Sequence, residues 1–215
     1  MRSMPNITCA FIDIGGVLLT DGWAHDSRKY VVEAVGIDLA EFELRHHQTF
    51  DTFEEGGITL SEYLKRTVFY TKRAFTEKRF RDLMLSQSKP YPQMLNLFRR
   101  LKKMNHLKLV AVSNEGRELN AFRIKQFALD RLIDTFVSSC FIHRRKPDAD
   151  VFRLALDLVQ VDPASVVYLD NISMYVEIAR TLGMHGIHHT DFSSTSTCLA
   201  KLGFRDRARG RHAIV

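Results

Sequence analysis

Between residues 94 and 202 short apolar runs and helical patterns take turns without a break, and that alternation limits what this chain can fold into more than any other feature. Periodicity predicts strands over 107–112, 135–139, 165–169 and 184–188, separated and flanked by helices over 94–104, 117–127, 149–159, 174–182 and 194–202. Residues 7–14 read as one more buried strand. Strands that alternate with helices make βα crossovers, and repeated crossovers build a doubly wound parallel sheet. Ligands bind such sheets beyond the carboxyl ends of the strands, so the polar residues that follow each apolar run are the ones to collect. They are Asp13, Ser113 with Asn114, the Arg144-Arg145-Lys146-Pro147 loop, and Asp170 with Asn171.

The alternation is interrupted once. Between Asp21 and Lys89 there are helical patterns over 27–33, 39–50, 60–69 (after a cap near Thr59) and 76–85, but no convincing strand. Lys89-Pro90-Tyr91-Pro92 then ends the helical texture, because the residue before a proline is pushed out of the α region. The expected organisation is a core segment over 1–19, a helical insert over 20–88, the core resumed over 89–204, and a basic tail over 205–215. In that tail Arg205, Arg207, Arg209 and Arg211 alternate with Asp206, Ala208 and Gly210, which reads as a solvated terminus.

With 45% hydrophobic and 26% charged residues the chain is neither disordered nor coiled coil. A net charge of +6 falls short of a nucleic-acid footprint. No apolar stretch approaches the roughly 20 residues that cross a bilayer, and Met1-Arg2-Ser3-Met4-Pro5 leads into a short apolar run unlike a signal peptide. Neither nucleic acid nor membrane is expected as a partner, and a cytoplasmic location is. The three cysteines, Cys9, Cys140 and Cys198, are odd in number with no CxxC spacing, so they read as buried thiols.

Asp13 follows Cys9-Ala10-Phe11-Ile12 and precedes Ile14-Gly15-Gly16-Val17-Leu18-Leu19, where glycine permits a tight turn. A carboxylate there serves as nucleophile, metal ligand or both, or simply as a turn former. Its meaning comes from company. Asp170 ends another strand, and two carboxylates converging from neighbouring strand ends suit magnesium. The Ser113 hydroxyl and the N–H groups at the start of the next helix suit a phosphoryl oxygen, and Lys146 adds a compact positive charge.

These residues resemble the haloacid dehalogenase superfamily of hydrolases and phosphatases over residues 7–188. Four stretches in the family's order carry the resemblance: Phe11-Ile12-Asp13-Ile14-Gly15-Gly16-Val17-Leu18, then Val112-Ser113-Asn114, then Lys146-Pro147, then Tyr168-Leu169-Asp170-Asn171 with Ala179-Arg180-Thr181-Leu182-Gly183-Met184. The resemblance implies an α/β fold, a Rossmann-like parallel sheet core with an inserted α-helical cap. It further implies that Asp13 attacks a phosphoryl group to form an aspartyl-phosphate, and that Ser113, Asn114 and Lys146 bind the phosphoryl oxygens. Lys146 would also orient Asp13, with Mg²⁺ held by Asp13, the Gly15 carbonyl and Asp170. The implied partner is a small phosphorylated metabolite; oligomeric state is not legible.

Two positions depart from the family's phosphatases. The second Asp that protonates the leaving oxygen, two residues after the nucleophile, is Gly15 here, and the second acid of the fourth motif is Asn171. Losing a general acid/base costs about 10²–10⁴ in rate. A metal-independent hydrolase such as a dehalogenase, or an impaired protein that binds a phosphometabolite or a partner, is therefore the alternative. Asp21, Trp23 and His25 sit where the family's chain enters its cap, as a substrate-pocket wall or a plain hinge. Glu115 reads as a substitute acid or as a helix-start carboxylate. Glu54-Glu55-Gly56-Gly57 reads as a specificity loop or a turn with solvated acids, and His46-His47 and His188-His189 as packing or surface histidines.

Overall fold

The computed structural model describes residues 5–206; Met1 to Met4, Arg207, Arg209 and Arg211 lie outside the described residues. Five parallel strands form one sheet in the order β3-β2-β1-β4-β5. They are β1 (Cys9–Ile12), β2 (Lys108–Ser113), β3 (Thr135–Ser138), β4 (Val166–Asp170) and β5 (His185–His188). β1 sits at the centre with all four residues fully buried, because helices cover both faces of the sheet. Alternate residues divide between two cores. Ala10 and Ile12 join Leu109, Ala111, Val167 and Leu169 on one face, against α5 (Pro92–Asn105) and α10 (Phe192–Lys201). Cys9 and Phe11 join Val110, Val112 and Tyr168 on the other, against α8 (Asp150–Val159) and α9 (Ser173–Thr181). Truncating Phe11 to alanine would cost about 3–5 kcal/mol through lost contacts and the cavity left behind.

Local chemistry sets the helix ends. Pro92 opens α5, where a missing N–H is harmless, and the Asp191 side chain caps α10 by accepting from the Ser194 N–H at 2.9 Å. α6 (Arg117–Gln126) follows β2. α7 (Ser139–Ile142), a single turn straight after β3, was not expected from the sequence.

Between β1 and α5 stand α1 (His25–Ala34), α2 (Leu39–Glu54), α3 (Leu60–Thr67) and α4 (Glu77–Leu85). Their apolar faces close on a third core around Trp23, Phe42, Tyr63 and Phe80. Thr59 and Glu62 form a reciprocal capping box that starts α3. This helical group joins the sheet through two adjacent strands of chain: Thr20 N–H donates to Lys89 O at 2.8 Å, and Tyr91 N–H to Leu18 O at 2.9 Å.

No described helix is long and apolar enough to cross a membrane. Arg205 is exposed and Asp206 pairs with Arg100, so the start of the basic tail is tied to α5.

Candidate active site

In parallel register Ile12 lies beside Ala111 and Leu169, so Asp13 and Asp170 one residue on, and Ser113 two residues on, collect at the carboxyl edge of the three central strands. The Asp13 N–H donates to Leu169 O at 2.9 Å, which continues the ladder by one residue, while its Oδ1 accepts from the Ile14 N–H at 2.7 Å. Gly16 must be glycine: its φ is +71°, and a Cβ there would collide with the Asn171 side chain.

Lys146 is 1% exposed. Its Nζ stands 3.1 Å from Asp13 Oδ2 and 2.7 Å from Asp170 Oδ2, and donates to Val112 O at 3.0 Å. A buried ammonium is tolerable only when so satisfied. Burial opposes its charge, but Asp13 and Asp170 outweigh burial and raise its pKa above that of ordinary lysine. Burial pushes the Asp13 pKa up, Lys146 pulls it down, and Asp170 and Asp21 add to the rise.

Asp170 is fully buried, and its expected place facing the cleft is corrected by its surroundings. Oδ2 takes Lys146 and the Tyr168 hydroxyl, and Oδ1 accepts from the Ile172 N–H at 2.8 Å. The next residue, Asn171, lines the cleft instead. Asn114 lines the cleft, and its side-chain amide donates to Lys146 O and accepts from Lys146 N–H, both at 2.9 Å, so it also braces the lysine. Ser113 is buried at the end of β2, and its hydroxyl has no hydrogen-bond partner among the described residues.

The cleft beside Asp13 encloses about 190 Å³ between the sheet and the four-helix group. Asp13, Glu115, Lys146, Asn171 and Tyr175 line the sheet side; Asp21, Trp23, Phe50, Phe53 and Glu54 line the other. Glu115 does not serve as a free acid, because it is 3% exposed and ion-paired to Arg123, with Asn120 on its second oxygen. Trp23 packs edge-on against Phe42 and Phe80 and donates Nε1–H to the Tyr63 hydroxyl at 3.0 Å, so it serves the helical core as well as the wall. His25 does not line the cleft; it heads α1 with its side chain 60% exposed, 3.5 Å from Glu43.

Residues not singled out as site components join the sheet to the helices. Arg123, 2% exposed, binds Glu115 and donates to Ser88 Oγ and Thr20 O, both at 3.0 Å, so it clasps both connecting strands. Arg145 pairs with Asp51 and Glu54 of α2. Glu54 is itself buried, which raises its pKa to about 7 against the pull of Arg145, so the turn after α2 is not one of solvated acids. Ser139 Oγ donates to Glu54 O at 2.7 Å, which gives the unexpected α7 its role as a dock. Nothing in local periodicity marks Arg123 or Tyr168, since their partners are remote or lie inside the sheet.

His46 is buried with Nδ1 2.7 Å from the Tyr63 hydroxyl, and His47 is exposed. His188 reaches Asn171 O and His189 reaches Thr195 Oγ1, so neither pair converges.

No three carboxylate, imidazole or thiolate groups come together as a metal cage among the described residues. Asp13 and Asn171 line the cleft together, so a carboxylate and an amide oxygen, both hard donors, stand there. That set fits magnesium, which takes one or two carboxylates and completes its shell with water and phosphate.

A family model of haloacid dehalogenase-like hydrolases matches residues 7–172. Bifunctional epoxide hydrolase 2 of Sus scrofa is 28% identical over 214 residues, covering 91% of this chain; the chain spans only 38% of that relative's length. A HAD family enzyme of Bacteroides thetaiotaomicron, in complex with magnesium and inorganic phosphate, superposes with a TM-score of 0.72 at 18% identity, covering 84% of this chain and 93% of that one. L-2-haloacid dehalogenase of Xanthobacter autotrophicus superposes with a TM-score of 0.59 at 17% identity, covering 84% and 76%. The structural likenesses establish the α/β fold with its parallel sheet.

Proposed function

This chain belongs to the haloacid dehalogenase-like hydrolases, and we propose that within that family it is a magnesium-dependent phosphatase acting on a small phosphorylated metabolite. The observation that carries this reading is the Lys146 ammonium fixed between Asp13 and Asp170 at the sheet's edge. Phosphoryl transfer asks a protein for in-line positioning and for positive charge beside the equatorial oxygens. Asp13 Oδ attacks phosphorus and becomes an aspartyl-phosphate, which water then opens. Lys146 holds Asp13 in line and faces the transferred group with its charge. The unpartnered Ser113 hydroxyl donates to a phosphoryl oxygen. Asp170 and Tyr168 keep Lys146 in place from behind, and Asn114 clamps its backbone.

Magnesium, held by the Asp13 carboxylate, the Gly15 carbonyl and the Asn171 side-chain oxygen, would supply further neutralisation of the phosphoryl charge. The relative that holds magnesium with inorganic phosphate supports this reading. The small cleft, with Trp23, Phe50 and Phe53 from the helical side, suits a small organic phosphate and closes out macromolecules.

A second reading, a metal-independent dehalogenase, is favoured by Gly15, because a halide leaves without a proton. Phosphate release from a panel of phosphorylated metabolites, with and without magnesium, alongside chloride release from 2-haloacids, separates the two. Magnesium-dependent phosphate release is expected, and Asp13→Asn should lower it at least about 10⁴-fold in a protein that still folds. Chloride release would replace the first reading with the second. Tight binding of a phosphometabolite without turnover would replace both.

A further inference from the structure

Gly15 removes the proton donor that a phosphate ester needs, yet the space it vacates is not empty. A Cβ built on Gly15 would lie 3.3 Å from Asp21 Oδ1. We infer that Asp21, reaching in from the chain that leads to the helical cap, is the general acid and base of this enzyme. The inference rests on the phosphatase reading above and goes one step beyond it.

Three observations support it. The Asp21 carboxylate lines the same cleft as Asp13 and Lys146. It is exposed there, and its side chain has no hydrogen-bond or ion-pair partner among the described residues, so it is available to a ligand. Its backbone is also held on both sides. On one side Thr20 O accepts from Arg123 and Thr20 Oγ1 binds Gln87 O and the Lys89 N–H; on the other the Asp21 carbonyl accepts from Ala24 N–H at 3.2 Å. Gly22 lets this chain lie flat on the Arg123 guanidinium, where a Cβ would collide.

The other acids of the cleft are committed: Glu115 to Arg123 and Glu54 to Arg145. In the first step the Asp13–phosphorus bond forms, the bond from phosphorus to the ester oxygen breaks, and that oxygen takes the electron pair and the proton of the Asp21 carboxylic acid. In the second, the Asp21 carboxylate removes a proton from water as the water oxygen bonds to phosphorus. The phosphorus–Asp13 bond then breaks, which restores both carboxyl groups and releases phosphate.

The test compares alkyl and aryl phosphates in the full-length protein. An aryl oxygen leaves without help, so Asp21→Asn should lower alkyl-phosphate turnover by about 10²–10⁴-fold. With an aryl phosphate the same variant should release one equivalent of phenol in a burst and then stall, with a phosphoryl group retained on Asp13 by mass spectrometry. A side chain that only shaped the hinge would not trap that adduct. In an Asp21→Ala background, which opens the space, Gly15→Asp should restore alkyl turnover, because Gly15 has an ordinary φ that accepts a side chain. Unchanged alkyl turnover in Asp21→Asn, equal losses on both ester classes without an adduct, or no recovery in a folded Gly15→Asp, Asp21→Ala protein would each overturn the role of Asp21. Failure of the wild type on every phosphate, aryl esters included, would instead overturn the phosphatase reading and this role with it.

Discussion

Two cations are buried at the carboxyl edge of the sheet, Lys146 at 1% exposure and Arg123 at 2%, and they are used in opposite ways. The Lys146 ammonium is a compact charge between two carboxylates, one of which, Asp13, still faces the cleft. The Arg123 guanidinium spreads its fork over three partners, Glu115, Ser88 and Thr20, two of them on the connecting strands of the cap. A point charge suits a site where one neighbour must react, whereas a planar fork suits a joint where several backbone and side-chain oxygens must be held at fixed angles. Burial of charge alone therefore does not mark a catalytic group; what decides is whether a partner is left open to a ligand.

The comparison breaks most visibly at Lys146. Lys146→Met should lower turnover by about 10²–10³-fold, since it removes positive charge from beside the reacting group. Its melting temperature should fall less than that loss suggests, because two facing carboxylates relieve themselves by taking up a proton. Steady-state rates measured beside thermal melts check both halves. A large drop in melting temperature with little loss of rate would make Lys146 a second joint rather than a chemical group.

Arg123→Met should show the reverse. It strands Glu115 in the interior, an effect of about 3–5 kcal/mol on stability in denaturant titrations. Turnover per folded molecule at saturating substrate should stay within a few-fold, and KM should rise as the cap loses its clasp. Arg123→Lys should recover only the Glu115 partner, so its stability should fall between the two. A collapse of saturating turnover in folded Arg123→Met would erase the distinction between the two cations.

The third buried polar cluster sharpens the contrast by using no net charge. In the cap, Trp23 donates to the Tyr63 hydroxyl, and that hydroxyl shares a hydrogen bond with Nδ1 of His46. Burial lowers the His46 pKa to about 3. A pKa depressed below its unfolded value of about 6.5 gives stability that is complete above pH 6.5 and drains away as pH falls towards 3. His46→Asn keeps an acceptor without the titration. It should therefore remove about 2 kcal/mol of the stability lost between pH 7 and 4.5, read from denaturant titrations at the two values. Identical pH slopes in the two proteins would show that His46 meets water in the folded cap.

Much of the fold is legible in the sequence because sheet burial on both faces writes continuous apolar runs such as Val166-Val167-Tyr168-Leu169, and covering helices write a 3.6-residue stripe. All five strands fall within the expected segments or within one residue of them, and four helices stand where the strandless stretch is. α7 escaped because four residues are too few for any period to declare itself. The polar ends of the strands are equally legible, since the residue after an apolar run in a parallel sheet has one place to go. Which of those ends face the cleft is not. Asp170 and Asn171 are neighbours in sequence, and only the packing of Tyr168 and Lys146 turns one inward and leaves the other outward. Asp21 is less legible still, because its meaning depends on a side chain missing six positions earlier, at Gly15, and on a contact only folding makes.

The central position of β1 also dictates a timetable of synthesis. Its Cys9 pairs with Lys108 on one side and Val166 on the other, so both neighbours leave the ribosome long after it does. At roughly 5–20 residues per second the second neighbour arrives about ten to thirty seconds later. The four cap helices, complete by Leu85, emerge before either partner strand, and the chain up to that point supplies every buried residue of the third core but Leu119. Through that interval the nascent chain holds an apolar strand with both hydrogen-bonding edges unclaimed, a liability of the kind any unpaired strand edge presents.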